Sequence, residues 1–318
     1  PILIELVMNT ENKQLSTFDD VMEDFKSRLA QAMPAAPGPK RPITAPFFAA
    51  SIDDCMAEAS PAAARYAING CILAQVGNAS DGLAAIKQLI FDEGSLTWAE
   101  LREAMSADFE GYEILQQTLK NRTPKYGNDD DYVDSILKEL SEYFCDGVHA
   151  NSHNEDGPGG KWAPGFMSFG IHRKSDTPAS PDGRSRGELT ANSFSPAVGM
   201  DRSGPTAALR SVAKVDLTRA SHGSVFDIAL HSAIVQGEDA FEKFVALLTA
   251  HLKMNSVATL QINVIDRETL LRARENPDSP EFRTLIVRVW GFSAVFVELP
   301  EQLQDHVIAR TEHGSLMA

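Results

Sequence analysis

Three histidine residues are the first candidates for chemistry in this sequence. His149 and His153 lie close together in a polar stretch, and paired imidazoles of this kind can suggest a metal site. No cysteine or carboxylate set completes that site at a familiar spacing, so the sequence predicts no metal ligands. His222 lies beside Ser221 and Ser224, but the Gly-x-Ser-x-Gly context of a hydrolase is absent, which argues against a catalytic triad.

Charged and glycine-rich stretches give weaker signals. The stretch Gly157–Gly160 lacks the lysine of a phosphate-binding loop and is interpreted as a turn. The run Asp129–Asp131 is interpreted as the acidic start of a helix rather than as a set of metal ligands. Lys161 and Arg184 lie near the long polar stretch at 145–205, and both are interpreted as solvated surface side chains.

One glycine holds a distinctive position. Gly291 lies at the junction of two β-like apolar runs, Thr284–Trp290 and Phe292–Leu299. A glycine inside a strand pattern marks a bulge, a tight bend or a close backbone approach, because a residue without Cβ adopts conformations that are closed to others. Taken alone, the pattern predicts a hairpin corner.

The composition narrows the classes of protein that could carry these residues. The chain has 318 residues, of which 43% are hydrophobic and 23% charged, as is typical of a soluble globular protein of about two domains. A net charge of −15 without a basic run argues against nucleic acid or an anionic membrane as a partner. No apolar run approaches the roughly 20 residues that span a bilayer. The three cysteines are scattered and odd in number, which favours the reducing cytoplasm over a disulfide framework.

Hydrophobic periodicity predicts an α/β arrangement. We expect helices that open at Ser16 and at Thr97, where a capping box begins, and further helices at Ile52–Glu58, Gly82–Phe91, Asp129–Phe144 and Gly237–His251. We expect strands at Ser224–His231 and Leu260–Asp266, and a long irregular region at 145–205.

Segments along essentially the whole sequence resemble parts of one known superfamily. The pattern Arg288-Val289-x-Gly291-Phe292-Ser293-Ala294, followed by a glutamine-rich helix that ends at Ile308–His313, resembles the C-terminus of glycyl radical enzymes. That superfamily includes pyruvate formate-lyase and the B12-independent glycerol and diol dehydratases. Further segments resemble the dehydratase branch in the same order: Pro46–Cys55, Ala84–Lys87, Pro124–Val133, Pro181–Arg184, Gly204–Ala207 and Ser211–Lys214.

The resemblance implies a fold and a radical mechanism. The chain would form the C-terminal half of a ten-stranded α/β barrel with surrounding helices, and Gly291 would lie on a loop that enters the barrel. In the family this glycine is the catalytic, modified residue and carries a backbone radical. A carbon radical at Cα is stabilised by the flanking amide nitrogen and carbonyl in a plane that a side chain would crowd, and it forms only after translation. The glycyl radical takes a hydrogen atom from a cysteine, and the thiyl radical attacks the substrate.

Two departures from the family pattern limit how many of the family's functional residues can be assigned in this sequence. The family pattern Gly-Cys-Val-Glu is absent, because the segment Asn69–Leu73 begins like it but lacks the glutamate. Cys71 is therefore interpreted as a buried structural residue. The segment Pro1–Met8 resembles the part of the family that comes shortly after the missing cysteine loop, so we expect a chain cut just past its thiyl cysteine. The same segment lacks the basic n-region of a signal peptide. Trp290 replaces the small residue that usually precedes the radical glycine.

The resemblance also implies domains, partners and an activity. Residues 1–190 would be the C-terminal part of a pyruvate formate-lyase-like domain, and 198–318 the glycine radical domain. We expect an anaerobic, cytoplasmic dehydratase or lyase for a small polar substrate, a homodimer when full length, with no nucleic-acid or membrane partner. A radical S-adenosylmethionine activating enzyme with an iron–sulfur cluster would install the radical, and no other cofactor and no metal are expected.

Three alternatives stay open at this point. Two are other radical reactions, formate C-acetyltransferase activity and alkyl- or aryl-succinate synthase activity. The third is a non-catalytic spare-part subunit that docks onto a partner with the cysteine half. Because half a barrel leaves strand edges unpaired, the isolated chain is expected to be poorly soluble or oligomeric.

Overall fold

Parallel pairing organises the strands at the centre of the chain. The structure is a computed structural model that describes residues 1–13, 15–33, 45–59, 61, 69–151, 162–168, 177–232, 239–254, 259–289, 292–310 and 312–313. Strands β1 (Asn69–Ile72), β2 (Trp162–Phe166), β3 (Gly223–Leu230) and β4 (Thr259–Val264) lie side by side in that order. All pairings among these four strands are parallel. A short strand that begins at Glu312 also pairs in parallel with the end of β3.

A separate hairpin follows the parallel sheet in sequence. Strands β5 (Ile286–Val289) and β6 (Phe292–Val295) pair antiparallel. The predicted second apolar run was too long, because Phe296–Glu298 forms a 3₁₀ turn instead of continuing the strand. The last strand among the described residues is β7 (Glu312–His313).

Helices cover much of the remaining described chain, and most predicted helices are confirmed. In chain order they are α1 (Ile2–Met8), α2 (Phe18–Ala32), α3 (Pro46–Ala50), α4 (Asp53–Ala57), α5 (Val76–Ile86), α6 (Trp98–Ser106), α7 (Glu113–Asn121), α8 (Asp131–Ala150), α9 (Gly204–Ala213), α10 (Ala240–Lys253), α11 (Arg267–Glu275) and α12 (Glu301–Ile308). A π-helical turn, Lys87–Asp92, extends α5.

Local capping fixes the starts of two helices. Thr17 accepts a hydrogen bond from the Asp20 amide at the start of α2, and Thr97 accepts one from the Glu100 amide at the start of α6. In both cases the acidic side chain returns a bond to the capping residue's own amide, which completes a capping box. The predicted capping box at Thr97 is therefore confirmed.

Several boundaries differ from the prediction; the helix expected from Gly82, for example, begins at Val76. Helix α8 runs beyond Phe144 because Cys145 and Val148 extend its buried stripe. The C-terminal helix was predicted to reach His313, but α12 ends at Ile308 and the chain turns into β7. The region 145–205 is not wholly irregular, because it contains β2.

Strand β2 was missed because it contains residues that weaken a strand pattern. Its sequence is Trp162-Ala163-Pro164-Gly165-Phe166, and Pro164 has no amide hydrogen to give to a neighbouring strand. Position 164 pairs with Cys71 of β1, and its carbonyl accepts a hydrogen bond of 2.9 Å from the His222 amide. Neighbours on both sides therefore fix a segment that its own composition disfavours.

The described apolar core is divided into two clusters. The larger one joins helices α1, α2, α5, α6 and α8 to the parallel sheet, and its largest enclosed side chains include Tyr126, Phe109, Phe144, Phe166, Phe194 and Phe226. The smaller one lies around the hairpin and consists of Leu270, Ala273, Phe282, Val287, Val289, Phe296, Leu299, Val307 and Ile308. We call these the main core and the hairpin core. Among the described helices, none is both long and apolar enough to pass through a membrane.

Candidate functional site

Strands β3 and β4 have one apolar face and one polar face. Side chains alternate along a strand, so Phe226, Ile228 and Leu230 point into the main core. The opposite face carries Asp227 on β3, paired in register with Gln261 on β4. Asn263 follows two positions later on the same face of β4, and both β4 side chains are buried.

A buried polar face needs internal hydrogen bonds, because polar groups moved out of water cost free energy unless they are paired. Gln261 Nε2 donates to Asp227 Oδ1 at 2.6 Å, and the Asp227 amide donates to Ser195 Oγ at 2.9 Å. Burial raises the pKa of the Asp227 carboxyl, and the Arg310 charge opposes that rise. This face of the sheet is therefore polar and largely buried, and we call it the polar face.

The hairpin that contains the candidate glycine lies against this polar face. Val289 of β5 pairs with Phe292 of β6, so the chain between the paired positions consists of Trp290 and Gly291. Both residues lie outside the described part of the chain, and their neighbours alone define the site. The Arg288 guanidinium Nη1 donates to Ser293 Oγ at 3.2 Å, across the two strands.

Two side chains from outside the hairpin reach the backbone of Arg288. Asn263 Oδ1 accepts from the Arg288 amide at 2.8 Å, and Asn263 Nδ2 donates to the Arg288 carbonyl at 3.1 Å. Arg310, which follows α12, places Nη1 3.5 Å from the same carbonyl. The hairpin is therefore attached to the sheet and to the C-terminal segment at one backbone residue.

Arg310 and His306 enclose the other side of this junction. The Nε and Nη2 atoms of Arg310 are buried and make no hydrogen bond to any described residue. Burial lowers the pKa of Arg310, and the Asp227 carboxylate raises it again in part. The side chains of His306 and Asn192 are hydrogen-bonded to each other. Burial lowers the pKa of His306 to about 3, with a further contribution from the Arg310 charge, so its ring is neutral near pH 7.

A small cavity of about 40 Å³ lies between these groups. Its lining includes Asn192, Ser195, Asp227, His306 and Arg310. A space of this size holds a water molecule where polar partners surround it. The side chains named here are hydrogen-bond donors and acceptors, and two of them, Asp227 and Arg310, interact electrostatically. They include no thiol. The arrangement can hold a backbone segment in a dry, polar environment.

Cys71 lies away from this site. It is on β1, two strands from β3, and its side chain packs against the main core. The expectation that it is buried was wrong in degree, because it is only partly buried. Burial nevertheless raises the pKa of its thiol, which disfavours the thiolate.

Other residues singled out in the sequence have structural positions. Arg184 was expected at the solvated surface, but it is only 5% exposed, because its guanidinium bonds to the carbonyls of Pro178, Ser185 and Glu188. The acidic run does begin a helix, since Asp130 caps α8 by accepting from the Tyr132 amide.

The remaining histidine and loop candidates add no site. His149 Nε2 lies 2.9 Å from the Arg219 carbonyl. His153, Lys161 and the stretch Gly157–Gly160 lie outside the described residues. No group of three or more His, Cys, Asp or Glu side chains that could hold a metal occurs within the described ranges.

The residues of the polar face were not among the candidates predicted from the sequence. Asp227, Gln261 and Asn263 alternate with apolar residues, and such alternation in isolation is typical of a strand with one solvated face. One signal was present, because strands that alternate with helices form parallel sheets whose two faces are both covered. A polar residue inside such a strand then indicates a site rather than a surface.

Comparisons with known proteins agree with this architecture. A model of the pyruvate formate lyase-like family matches residues 7–173, and a model of the glycine radical family matches residues 190–297. The chain is 36% identical over 274 residues to the probable dehydratase YbiW of Escherichia coli strain K12, which covers 83% of this chain and 34% of that protein. It is 34% identical over 272 residues to trans-4-hydroxy-L-proline dehydratase of Clostridioides difficile, with 84% and 34% covered.

A solved structure extends the match to the fold. The glycerol-bound B12-independent glycerol dehydratase of Clostridium butyricum superposes with a TM-score of 0.83 at 32% identity, over 98% of this chain and 42% of that one. The chain thus spans about a third of the length of the curated relatives named above. The resemblance inferred from the sequence and the expected α/β barrel class are confirmed. The chain belongs to the pyruvate formate lyase-like family of glycyl radical enzymes, and its parallel sheet is part of their α/β barrel.

Proposed function

We propose that this chain is the radical-bearing part of an anaerobic glycyl radical enzyme that dehydrates or cleaves a small polar substrate. Gly291 carries the radical, residues 198–318 form the glycine radical domain, and 1–190 belong to the catalytic barrel. The thiyl cysteine lies in sequence that precedes residue 1. Relatives named as dehydratases and as isethionate sulfite-lyases support the reaction class.

The observation that supports Gly291 most directly is the anchored hairpin. The backbone three residues before it is bonded to the buried polar face of the barrel sheet through Asn263. A radical on a backbone carbon needs protection from water and oxygen, and it needs a fixed position toward its hydrogen donor. Buried, mutually hydrogen-bonded side chains such as Asp227 and Gln261 suit both requirements.

The proposed chemistry conserves one unpaired electron. The Gly291 Cα radical takes a hydrogen atom from the cysteine thiol, so a C–H bond forms, an S–H bond breaks and the radical moves to sulfur. The thiyl radical then attacks the substrate. No side chain of the polar face exchanges a proton in this relay.

The proposal includes a partner and an assembly. A radical S-adenosylmethionine enzyme removes the first hydrogen atom from Gly291, in an oxygen-free cytoplasm. The full-length protein is a homodimer. The whole enzyme takes a small-molecule substrate, whose pocket is formed largely by sequence upstream of residue 1.

The test uses the complete coding sequence that contains this chain, activated anaerobically. We expect a glycine-type doublet in the electron paramagnetic resonance spectrum and, after exposure to air, backbone scission beside Gly291. Gly291→Ala should abolish both, because a methyl group prevents the planar, doubly stabilised radical. A matched control is Gly94→Ala, since a methyl group there meets no atom within 4 Å.

The control has a modest backbone cost, because Gly94 has a φ of +61°. It should retain both the doublet and the scission. A doublet that persists in Gly291→Ala would contradict the assignment of the radical. An upstream reading frame without a Gly-Cys-x-Glu segment would contradict the complete enzyme.

A further inference from the structure

We propose that Asn263 is a positioning residue that holds the radical hairpin against the barrel sheet. Its side-chain amide makes two hydrogen bonds to the backbone of Arg288, which precedes Gly291 by three residues. The purpose of this anchor rests on the proposed function of Gly291. The anchor itself is a statement about geometry and can be tested separately.

The hairpin's own hydrogen bonds leave the backbone of Arg288 unsatisfied. The Phe296 amide donates to the Leu285 carbonyl at 2.8 Å, so these two residues form a hydrogen-bonded pair in the antiparallel register. Hydrogen-bonded and non-hydrogen-bonded pairs alternate along such a ladder. The pair Arg288–Ser293, three steps further, is therefore of the non-hydrogen-bonded type. The amide and carbonyl of Arg288 point outward, away from β6.

Asn263 meets both outward groups with one side chain. Its Oδ1 accepts from the amide at 2.8 Å, and its Nδ2 donates to the carbonyl at 3.1 Å. A carboxamide is suited to this role because it presents an acceptor and a donor side by side. In effect, the side chain replaces a neighbouring strand for one residue of β5.

The parallel sheet holds Asn263, the sheet end of this anchor, in a fixed position. Asn263 is only 6% exposed, and its own position is paired with Ala229 of β3, which pairs on its other side with Glu312 of β7. Arg310 Nη1 approaches the same Arg288 carbonyl from the C-terminal segment at 3.5 Å, a longer and weaker contact. Asn263 is therefore the principal link between the hairpin and the barrel strands at this point.

Position matters here because hydrogen-atom transfer depends steeply on distance. A misplacement of about 1 Å at a reacting centre can reduce a rate by roughly 10²-fold. Loss of the anchor should leave the glycine able to carry a radical but less well placed to exchange a hydrogen atom with its donor. The expected signature is a lower turnover per radical, and not a lower yield of radical.

The experiment compares Asn263→Ala and Asn263→Asp with Asn276→Ala. Asn276 is a matched control, because its side chain donates to a backbone carbonyl, that of Arg272, at an exposed helix end near the hairpin core. The first measurement is hydrogen exchange of peptides that contain Arg288 in the unactivated full-length protein. Loss of the acceptor for the Arg288 amide should speed that exchange by about 10-fold in Asn263→Ala, and the control should match the wild type.

The aspartate variant gives a second signature. An ionised carboxylate still accepts from the Arg288 amide but places a negative oxygen against the carbonyl, so the exchange of Arg288 in Asn263→Asp should lie between that of the wild type and that of the alanine variant. On acidification the protonated carboxyl can donate again. The protection of Arg288, corrected for the intrinsic exchange rate, should then recover in Asn263→Asp but not in Asn263→Ala.

The last measurement is turnover divided by the spin count of the activated enzyme. We expect a fall of about 10²-fold in Asn263→Ala, with the spin count and KM near those of the wild type. Unchanged exchange at Arg288, or unchanged turnover per spin, would overturn the proposal. If the wild type forms no doublet, the proposed function fails, whereas the exchange data still decide whether Asn263 anchors the hairpin.

Discussion

The main core and the hairpin core are stabilised in different ways. The main core is a continuous apolar volume in which Phe166 lies between Phe144 and Phe194, with ring centroids 5.6 and 4.8 Å away. The hairpin core is a small cluster of its own, and polar groups join it to the sheet: Asn263, Arg310 and the hydrogen-bonded side chains of Asn192 and His306.

Because of this difference, the stability of the fold and the attachment of the hairpin to the sheet depend on different groups. Burial of apolar area is non-directional and supplies most of the free energy of folding. Hydrogen bonds between polar side chains add less free energy but fix direction. We therefore expect substitutions in the main core to destabilise the whole described fold. Substitutions at the polar junction should move the hairpin while leaving the barrel strands folded.

The largest expected effect is truncation within the main core. Phe166→Ala removes a completely buried ring from β2 and leaves a cavity, so we expect the free energy of unfolding to fall by about 3–5 kcal/mol. Chemical denaturation measures it. Phe47→Ala, at a side chain 93% exposed, should change stability very little. A comparable loss in both variants would show that the main core does not dominate stability.

The second prediction concerns Asp81 of helix α5, whose carboxyl group is buried. Burial raises its pKa to about 7 against the opposing charge of Lys125, and its Oδ2 has no hydrogen-bond partner among the described residues. Because the folded pKa exceeds the unfolded one, this group favours folding below about pH 4, and that contribution is lost as the pH rises through 7.

The matching variant is Asp81→Asn, in which Oδ1 can still accept from the Tyr126 amide. The stability of the wild type relative to this variant should fall by up to about 4 kcal/mol between pH 4 and pH 8. Denaturation across that pH range measures the difference. A flat difference would mean that Asp81 stays ionised in the folded protein.

The smallest of these effects concerns His306, at the hairpin junction, and it has the opposite sign. Its folded pKa of about 3 lies below the unfolded value, so it supports folding above pH 6.5 and destabilises progressively at lower pH. At pH 5 the expected loss is about 2 kcal/mol. Hydrogen exchange in the hairpin should therefore accelerate between pH 7 and 5, after correction for intrinsic rates, and His306→Gln should remove that dependence.

Local signals explain what the sequence predicted well. The capping box at Thr97 and the acidic start of α8 depend on residues within one helical turn, so their outcome is visible in a short window. Strands β3 and β4 were placed within one or two residues because their apolar alternation is long enough to count. The family resemblance then supplied the fold class, which the superposition bears out.

Distant pairing explains what was missed. Pro164 weakens the pattern of β2, yet strands on both sides accept it. Arg184 has the composition of a surface residue, but loop carbonyls take its donors. The bond between Asn263 and Arg288 joins positions 25 residues apart, and only the folded register of β3, β4 and β5 brings them together. A single sequence contains no local trace of such a contact.

The register of the hairpin has a consequence for engineering. Val289 closes against Phe292, and side chains along each strand alternate between faces with a period of two. Adding or deleting one residue between these positions would turn every following side chain to the opposite face and exchange the buried and exposed sides of β6. Libraries aimed at this corner should therefore vary the residue type at position 290 and keep the number of residues between Val289 and Phe292 constant, since a change in length would alter more side-chain positions than a substitution.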